Sequence, residues 1–509
     1  MRHDRHHVAI VGAGMGGLAA AVDLAHRGFR VSVFEKAATP GGKMREVQVG
    51  DTAIDAGPTV FTMNWVFEGL FADAGARLED HLDLVSASVL ARHAWPDGSR
   101  LDLHANLDRS YAAIREFSGD HDARGYREFC ARSAKVYSSL LDTFMRRSRP
   151  SQFELISALA RRGLAEDGLS AMLRTPPWQS LWSALGSHFR DPRLRQLFGR
   201  YSTYVGSSPL AAPATLMLIA HVEQSGVWLV RGGMRRIADA LQSLGESAGA
   251  TYRYGNAVQE IRVQDDRCVG VQLDTGEFIP ADAVVFNGDA NALASGMLGA
   301  NAVRGGATMS RDERALSAIT WCLHAPTRGF ALEHHNVFFG DRYPEEFTNI
   351  FKDRRIKTSP TVYVCAQDRG AAVTPQVSKD LSSASERLLL LVNAPADGDA
   401  GGIDDPTLAR VERETFELLE QCGLRIERRA GDCVITRPQD FDQLFPGTGG
   451  SLYGRANHGA FASFSRPGST TTIAGLYLAG GSAHPGPGVP MATLSGRVAA
   501  RRIVKDFER

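Results

Sequence analysis

A glycine-rich turn near the start of the chain constrains the fold more than any other feature of the sequence. The apolar run 7–11 predicts a strand, and the run 17–28 predicts a helix. Between them stands Gly12-Ala-Gly14-Met-Gly-Gly17, whose glycines permit a tight turn and let backbone N–H groups at the helix N-terminus approach a pyrophosphate. Alone, such a pattern also occurs in turns that bind nothing.

A carboxylate further along the chain strengthens the interpretation as a dinucleotide site. Glu35 ends the strand predicted at 31–34, about 20 residues after the glycines, where its side chain can accept hydrogen bonds from both hydroxyls of a ribose. An acid at this place disfavours a 2′-phosphate, because two negative groups would be forced together. We therefore expect NAD or FAD rather than NADP.

The remaining strand and helix patterns predict an α/β fold with a discontinuous nucleotide domain. A chain of 509 residues favours two domains of roughly 150 to 250 residues each. Strand patterns return at 258–286 and at 476–479, so we expect the chain to rejoin the first sheet there. The expected organisation is a Rossmann-like nucleotide-binding domain made of 1–85, 230–295 and 460–509, a helical region at 86–229, and a mixed α+β substrate domain at 296–459.

Charge and cysteine usage exclude several function classes. Lys and Arg together number 57, as do Asp and Glu, and this net charge of zero argues against nucleic acid as a partner. The six cysteines form no C-x-x-C pair and no cluster at zinc-ligand spacing, which predicts reduced thiols in a cytoplasmic protein and no metal site. No run of about 20 apolar residues lacks a charge, so a membrane-spanning helix is not expected.

Three further motifs carry a resemblance to a known family. Gly41-Gly42-Lys43 resembles the second glycine pair of FAD-dependent amine oxidases and carotenoid desaturases, and Asp-Ala-Gly-Pro-Thr at 55–59 resembles the desaturase loop that borders the isoalloxazine ring. Residues 476–490 resemble the C-terminal signature of the desaturases, with a helix that starts near Gly488 and directs its N-terminal dipole at the flavin. Where amine oxidases place an acid after Leu-Ala-Gly, this chain has Gly481, which favours the carotenoid branch.

The resemblance to the bacterial phytoene-desaturase type of carotenoid desaturase extends over essentially the whole chain. The runs 41–45 and 55–67 are most similar to the 1-hydroxycarotenoid 3,4-desaturases of purple bacteria. The resemblance implies an FAD cofactor and a hydrophobic carotenoid substrate, 1-hydroxy or 1-methoxy neurosporene, into which a C3–C4 double bond is introduced. The residues that the resemblance places along the FAD are Gly12, Gly14, Gly17, Glu35, Lys36, Gly42, Lys43, Gly57, Pro58, Thr59, Val258, Gly480, Gly481, Gly488, Val489 and Met491.

The implied chemistry depends more on excluding water than on a strong catalytic base. Desaturation removes a hydride to the flavin and a proton from the adjacent carbon, inside a long apolar tunnel that excludes water. His458 and His484 are the candidate proton acceptors, although a lone histidine is more often structural. An aromatic set is expected either to line the tunnel or to pack in the core, namely Phe61, Trp65, Phe67, Trp178, Trp182, Tyr201 and Tyr204.

A basic stretch predicts contact with a membrane surface. Residues 146–200 hold ten arginines against four acids, an excess of six positive charges interleaved with apolar residues. Amphipathic helices of this kind either lie on anionic lipid or form a solvated surface over a core. Because a carotenoid is insoluble in water, we expect peripheral membrane contact through 146–204, at the inner face of the membrane.

Three other functions stay open at this point. The same motifs would serve phytoene desaturation or another carotenoid oxidation. A flavin amine oxidase is a more distant alternative, and a non-catalytic isoprenoid escort protein could use the same fold without flavin.

Overall fold

The structure of the chain is a computed structural model, described here for residues 6–149, 179–356, 359–370, 385–429, 431–460 and 462–508. Much of the basic stretch, together with Trp178, lies outside the described residues.

The described strands are β1 (His7–Val11), β2 (Arg30–Glu35), β3 (Glu46–Val49), β4 (Thr52–Asp55), β5 (Phe61–Thr62), β6 (Leu84–Ser86), β7 (Val89–Ala94), β8 (Arg100–His104), β9 (Val227–Val230), β10 (Thr251–Tyr254), β11 (Val258–Gln264), β12 (Arg267–Leu273), β13 (Phe278–Pro280), β14 (Ala283–Phe286), β15 (Ser317–Ala325), β16 (Thr327–Arg328), β17 (His335–Phe338), β18 (Val362–Ala366), β19 (Glu386–Ala394), β20 (Arg425–Ile426), β21 (Cys433–Thr436) and β22 (Leu476–Leu478).

The described α-helices are α1 (Met15–His26), α2 (Trp65–Asp73), α3 (Leu107–Ser118), α4 (Asp120–Leu140), α5 (Leu181–Leu185), α6 (Pro192–Gly199), α7 (Leu218–Gln224), α8 (Arg235–Ser247), α9 (Ala290–Ala294), α10 (Tyr343–Phe351), α11 (Asp405–Gln421), α12 (Pro438–Leu444) and α13 (Val489–Phe507). A single π-turn, Leu141–Met145, continues α4.

A five-stranded parallel sheet, in the order β10-β2-β1-β14-β22, forms the first structural layer. At its centre Ile10 pairs with Val33 on one side and with Val285 on the other, and all three side chains are buried. Parallel strands read as continuous apolar runs because helices cover both faces of the sheet. The strands come from three separate parts of the chain, the arrangement that the sequence predicts, while the domain boundaries themselves stay a prediction.

The first and last helices pack against each other at backbone contact distance. A Cβ atom added to Gly496 in α13 would lie only 2.0 Å from the carbonyl oxygen of Gly16 in α1. Glycine at 496 therefore lets the two helices approach until their backbones touch. This contact joins the two ends of the chain over the parallel sheet.

A seven-stranded mixed sheet, in the order β21-β15-β19-β18-β17-β7-β8, forms the second layer. β7 and β8 form a hairpin whose turn contains Asp97-Gly98, and they extend this sheet through the parallel pairing of β7 with β17. The region 86–229 therefore contains a β-hairpin before its helices, and its bounds as a domain stay a prediction. The physical reason is visible in β8, where Leu101 and Leu103 alternate with polar residues and face the core, a period that a helix cannot satisfy.

Between β8 and β9, the described α-helices of this region run from α3 to α7. None of the helices formed by the described residues combines the length and apolarity that a membrane span requires.

Substituting Gly496 with alanine tests the contact between α1 and α13. We expect Gly496→Ala to lower the free energy of unfolding by about 1–3 kcal/mol, because the new methyl group forces the two backbones apart. Gly69→Ala in α2 is the matched control, since its Cβ would meet only the flexible Arg497 guanidinium at 3.4 Å. Thermal melting of both variants measures the effect, and equal midpoints for the two would contradict the close packing.

Candidate functional site

One large cavity lies between the carboxyl edge of the parallel sheet and one face of the seven-stranded sheet. Its volume is about 2660 Å³. Every residue that the sequence places along the cofactor lines this cavity except Gly17. Sites for single small ligands measure roughly 300–1,000 Å³, so this cavity has room for a dinucleotide and a second long molecule.

The first glycine turn brings backbone close to the cavity. Gly12 adopts a positive φ of 99° and donates its N–H to the Phe34 carbonyl at 2.8 Å. A Cβ on Gly14 would lie 2.9 Å from the Asn287 side-chain amide, and one on Gly17 would lie 2.1 Å from the Gly12 carbonyl oxygen. Gly17 thus packs the helix against the turn behind the cavity wall, which is why it does not line the cavity itself.

Glu35 stands at the end of β2, where its carboxylate is held by backbone N–H groups. One oxygen accepts from Ala13 N at 2.7 Å, and the other accepts from Ala37 N at 2.9 Å. Each carboxylate oxygen has two lone pairs, so both can still accept a hydrogen bond from a ligand. The geometry therefore fits recognition of a ribose diol.

A second glycine segment crosses the first turn. Gly42 has a positive φ of 59°, and a Cβ there would lie 3.1 Å from the Gly14 Cα atom. A Cβ on Gly57 would lie 1.9 Å from the Lys43 carbonyl oxygen. These positions exclude any side chain, so the segments 41–43 and 55–59 form a cradle of bare backbone around this end of the cavity.

Charged groups gather beside the cradle. The ammonium group of Lys43 donates to the Leu452 carbonyl at 2.7 Å, and burial lowers its pKa to about 8, while Asp289 acts in the opposite direction. Burial raises the pKa of Asp289, which Lys43 and Arg466 partly offset. Arg466 is 1% exposed, and burial lowers its pKa to about 10. Lys43 and Asp289 line the cavity, whereas Arg466 is not among the described residues of its lining.

The C-terminal motif closes the same end of the cavity. Gly488 has a positive φ of 111° and precedes α13, so the helix begins where the sequence predicts. The first turn of α13, with Val489 and Met491, lines the cavity, which directs the positive end of the helix dipole towards it. Where an acid stands in related amine oxidases, the Gly481 carbonyl accepts from Arg466 at 3.2 Å.

The other end of the cavity is bounded by the seven-stranded sheet. Tyr363, Leu391 and Thr320 are cross-strand neighbours on β18, β19 and β15, and all three line the cavity. Leu389 and Ile219 add apolar surface, the latter from α7. This end suits a long apolar molecule with some polar character at one point.

The two candidate proton acceptors, His458 and His484, are held by hydrogen bonds to neighbouring backbone groups. His458 accepts from Ser208 N at 3.0 Å, and His484 contacts the Phe144 and Arg147 carbonyls at 2.9 Å each. Burial lowers the pKa of both imidazoles to about 4. Neither imidazole is among the described residues that line the cavity, although the adjacent Asn457 and Pro485 are, so their role as proton acceptors stays a prediction.

The aromatic set divides between core and cavity. Phe61 and Phe67 are fully buried beneath the first layer, and Tyr201 is buried among the helices. Of the described members, Tyr204 lines the cavity. Helical spacing cannot separate these cases, because core and cavity faces both require apolar residues.

Three potential metal ligands come together in the fold, although their spacing in the sequence matches no metal-binding motif. One ligand atom each of His334, His335 and Cys365 lies within 4.8 Å of the others. His335 Nδ1 contacts the Tyr363 hydroxyl at 2.7 Å, and His334 contacts Cys365 Sγ at 3.5 Å. Burial raises the pKa of the Cys365 thiol, which favours its protonated form in the absence of a metal. We interpret the group as a hydrogen-bonded support for Tyr363.

Two sets of residues at this site are not predicted by the sequence. Asn287, directly after β14, donates to the Gly12 carbonyl at 3.1 Å, and its place at the carboxyl end of a parallel strand was the available signal. Arg200, Tyr343 and Tyr363 also line the cavity, but they come from three separate elements and no spacing relates them.

Comparison with known proteins agrees with this geometry. The family model described as flavin containing amine oxidoreductase matches residues 15–504. A hydroxyneurosporene desaturase of Rubrivivax gelatinosus is 49% identical over 504 residues, covering 99% of this chain and 94% of that protein. A hydroxyneurosporene desaturase of Cereibacter sphaeroides is 42% identical over 510 residues, covering 100% of this chain and 99% of the relative.

Among solved structures, an oxidoreductase from Methanosarcina mazei has a TM-score of 0.60 at 16% identity, covering 99% of this chain and 100% of its own. At that identity the likeness concerns the fold, and it confirms the predicted α/β class. The sequence relatives confirm the resemblance drawn from the motifs. The chain belongs to the flavin-containing amine oxidoreductase family and, within it, to the bacterial carotenoid desaturases.

Proposed function

We propose that the protein is an FAD-dependent carotenoid desaturase that introduces a C3–C4 double bond into acyclic carotenoids with a hydroxyl or methoxy group at C1. The observation that carries this proposal is the single cavity that joins a dinucleotide cradle to an apolar compartment. Full-length relatives named hydroxyneurosporene desaturase support the choice of substrate.

The residues of the cradle fit FAD in particular. Glu35 offers free lone pairs for a ribose diol, and Gly14, Gly42 and Gly57 pack so closely against neighbouring protein atoms that their backbone forms the part of the cavity wall where we place the diphosphate. Lys43 and the N-termini of α1 and α13 supply positive charge around that diphosphate. A mononucleotide flavin would leave the Glu35 end of the cradle without a ligand.

The chain's own contribution to the reaction is placement and exclusion of water. Bound in the cradle, the flavin would accept the hydride that desaturation removes. Leu389, Leu391 and Ile219 line the compartment beside it and keep water away from the positive charge that develops on the polyene. His458 and His484 are not among the described residues of the lining, and we propose that proton loss does not depend on either imidazole.

The direct test is product analysis with FAD-loaded protein in liposomes. We expect 1-hydroxyneurosporene to lose two hydrogens and to gain a longer polyene, which appears as a red shift of its absorption and as a product of lower mass. Phytoene conversion without conversion of the hydroxylated carotenoid would identify a phytoene desaturase instead. Amine consumption with peroxide release would identify an amine oxidase, and purified protein without retrievable FAD would favour the escort protein.

A second prediction concerns the ribose contact. We expect Glu35→Gln to weaken FAD binding to the deflavinated protein about tenfold or more, because a hydrogen bond to a charged group contributes about 1.5–3 kcal/mol. Glu116→Gln is the matched control, since Glu116 is exposed on α3. Fluorescence titration with FAD measures both dissociation constants, and equal values for the two variants would refute the assignment.

We also propose that the protein associates peripherally with the inner face of the membrane. Leu140, Phe144 and Met145 line the cavity, and the exposed Arg146, Arg147 and Arg149 follow directly along the chain. Positive charge beside a cavity wall suits delivery of a water-insoluble substrate from an anionic lipid surface. Arg200, although part of the basic stretch, lines the cavity and cannot contribute to this contact.

Vesicle sedimentation tests this contact. We expect the triple change of Arg146, Arg147 and Arg149 to glutamine to weaken binding to anionic vesicles at low salt by about two orders of magnitude, since each basic residue contributes about 1 kcal/mol. The same change at the exposed Arg342, Arg355 and Arg413 is the matched control. Equal loss in both triple variants, or failure of the unmodified protein to sediment, would overturn the proposal.

A further inference from the structure

A group of polar side chains interrupts the apolar compartment of the cavity. It consists of Arg200, Tyr204, Tyr343, Thr361 and Tyr363, which we term the arginine–tyrosine cluster, and all five line the cavity. Removal of a hydride from a hydrocarbon polyene needs none of these groups, and none of the five belongs to the residues that we place along the cofactor. Their presence therefore indicates a polar atom in the bound molecule.

The cluster begins at the cofactor cradle. The Tyr363 hydroxyl contacts Thr59 Oγ1 at 2.7 Å, and Thr59 belongs to the loop 55–59. The Arg200 guanidinium carbon lies 5.8 Å from the centre of the Tyr363 ring, and its Nη2 lies 3.4 Å from the Tyr204 hydroxyl. The cluster is thus placed at the junction of cradle and apolar compartment.

Two hydroxyls of the cluster lack a partner. Tyr343 is 2% exposed and Thr361 is 7% exposed, and within the described part of the chain neither side-chain oxygen has a hydrogen-bond partner. A buried polar group without a partner costs about 1–3 kcal/mol. Native proteins tolerate that cost at binding sites, where a ligand supplies the missing partner.

Arg200 also has N–H donors that are available to a ligand. A guanidinium carries five N–H donors, and among the described residues its side chain makes the one hydrogen bond to Tyr204. Glu223 balances its charge from behind, because this buried carboxylate accepts from Tyr201 at 2.7 Å and also from Tyr204. Burial alone would lower the pKa of Arg200, but Tyr204, Glu223 and Tyr363 raise it overall, so the donors stay protonated.

The chemistry of the proposed substrate places an oxygen at this point. An oxygen on C1 is separated from C4 by four covalent bonds of about 1.5 Å each, so the two atoms lie at most about 5 Å apart. C3 and C4 must themselves come within about 3–3.5 Å of the flavin to react. The oxygen is therefore confined to the junction beside Thr59, where the cluster stands.

We propose that Arg200 and Tyr343 donate hydrogen bonds to the oxygen at C1 of the carotenoid, and that this anchor both selects oxygenated substrates and sets C3 and C4 over the flavin. The proposal rests on the proposed function and names its specificity residues. Both residues donate, so the oxygen of a hydroxyl and that of a methyl ether are equally acceptable, whereas a hydrocarbon end leaves the donors unpaired.

The test compares three carotenoids on the FAD-loaded enzyme in liposomes: 1-hydroxyneurosporene, its methyl ether, and neurosporene as a competitor. We expect Tyr343→Phe to lower kcat/KM about tenfold for the hydroxylated carotenoid and for the ether, and to leave the inhibition constant of neurosporene unchanged. Arg200→Lys is expected to act in the same direction. Tyr126→Phe is the matched control, because Tyr126 is equally buried but bonds to Gln224, outside the described lining of the cavity.

Flavin absorbance and the melting midpoint verify that each variant is folded and contains FAD. If Arg200→Lys does not fold, Tyr343→Phe alone tests the proposed hydrogen bonds to the C1 oxygen. An equal change for oxygenated and unoxygenated carotenoids, no change for either, or an effect on the hydroxylated carotenoid alone would overturn the anchor. Failure of the proposed function itself is distinguishable, because the unmodified enzyme would then form no C3–C4 double bond in any of these carotenoids.

Discussion

The close approach of bare backbone segments at the carboxyl edge of the parallel sheet is the constraint on which the rest of the structure depends. A Cβ on Gly16 would lie 2.6 Å from the Gly480 nitrogen, and Gly496 touches the Gly16 carbonyl from the other side. These contacts join residues that are more than four hundred positions apart. Because of these contacts, the N-termini of α1 and α13 face the same cavity, and a single cofactor can be held by both ends of the chain.

Buried charge is arranged around this junction in two sets with different consequences. Lys43, Asp289 and Arg466 stand beside the cradle, where a net positive set suits an anionic diphosphate. Arg200 and Glu223 stand beside the apolar compartment and balance each other through Tyr204. Leaving one of a buried pair unmatched is costly, so each charge of the second set keeps the other tolerable beside the apolar compartment.

The seven-stranded sheet forms the wall of the apolar compartment, beside the nucleotide-binding part of the fold. Its strands present alternate residues to the cavity, so that Leu391 and Leu389 supply apolar surface and Tyr363 and Thr361 supply polarity. The His335 contact behind Tyr363 orients the phenol. Specificity for one end of a polyene can therefore arise from a few positions on a rigid sheet, beside a cofactor site that the wider family shares.

The dinucleotide half of the protein was predictable from the residues alone, since its chemistry depends on local backbone geometry. Gly12, Gly14, Glu35 and the helix start at Gly488 each follow from short-range rules about φ angles, helix dipoles and strand ends. Family resemblance supplied the implied cofactor and substrate on the same motifs, and sequence relatives confirm the family.

The substrate half was decided only by the tertiary structure. The pairing of β7 with β17 and the meeting of Arg200, Tyr343 and Tyr363 at the cavity wall both join residues that are distant in the chain. Helical or strand periodicity reports which side chains are buried, but it cannot report whether a buried side chain faces core or cavity. That distinction depends on how separate elements pack, which no local pattern encodes.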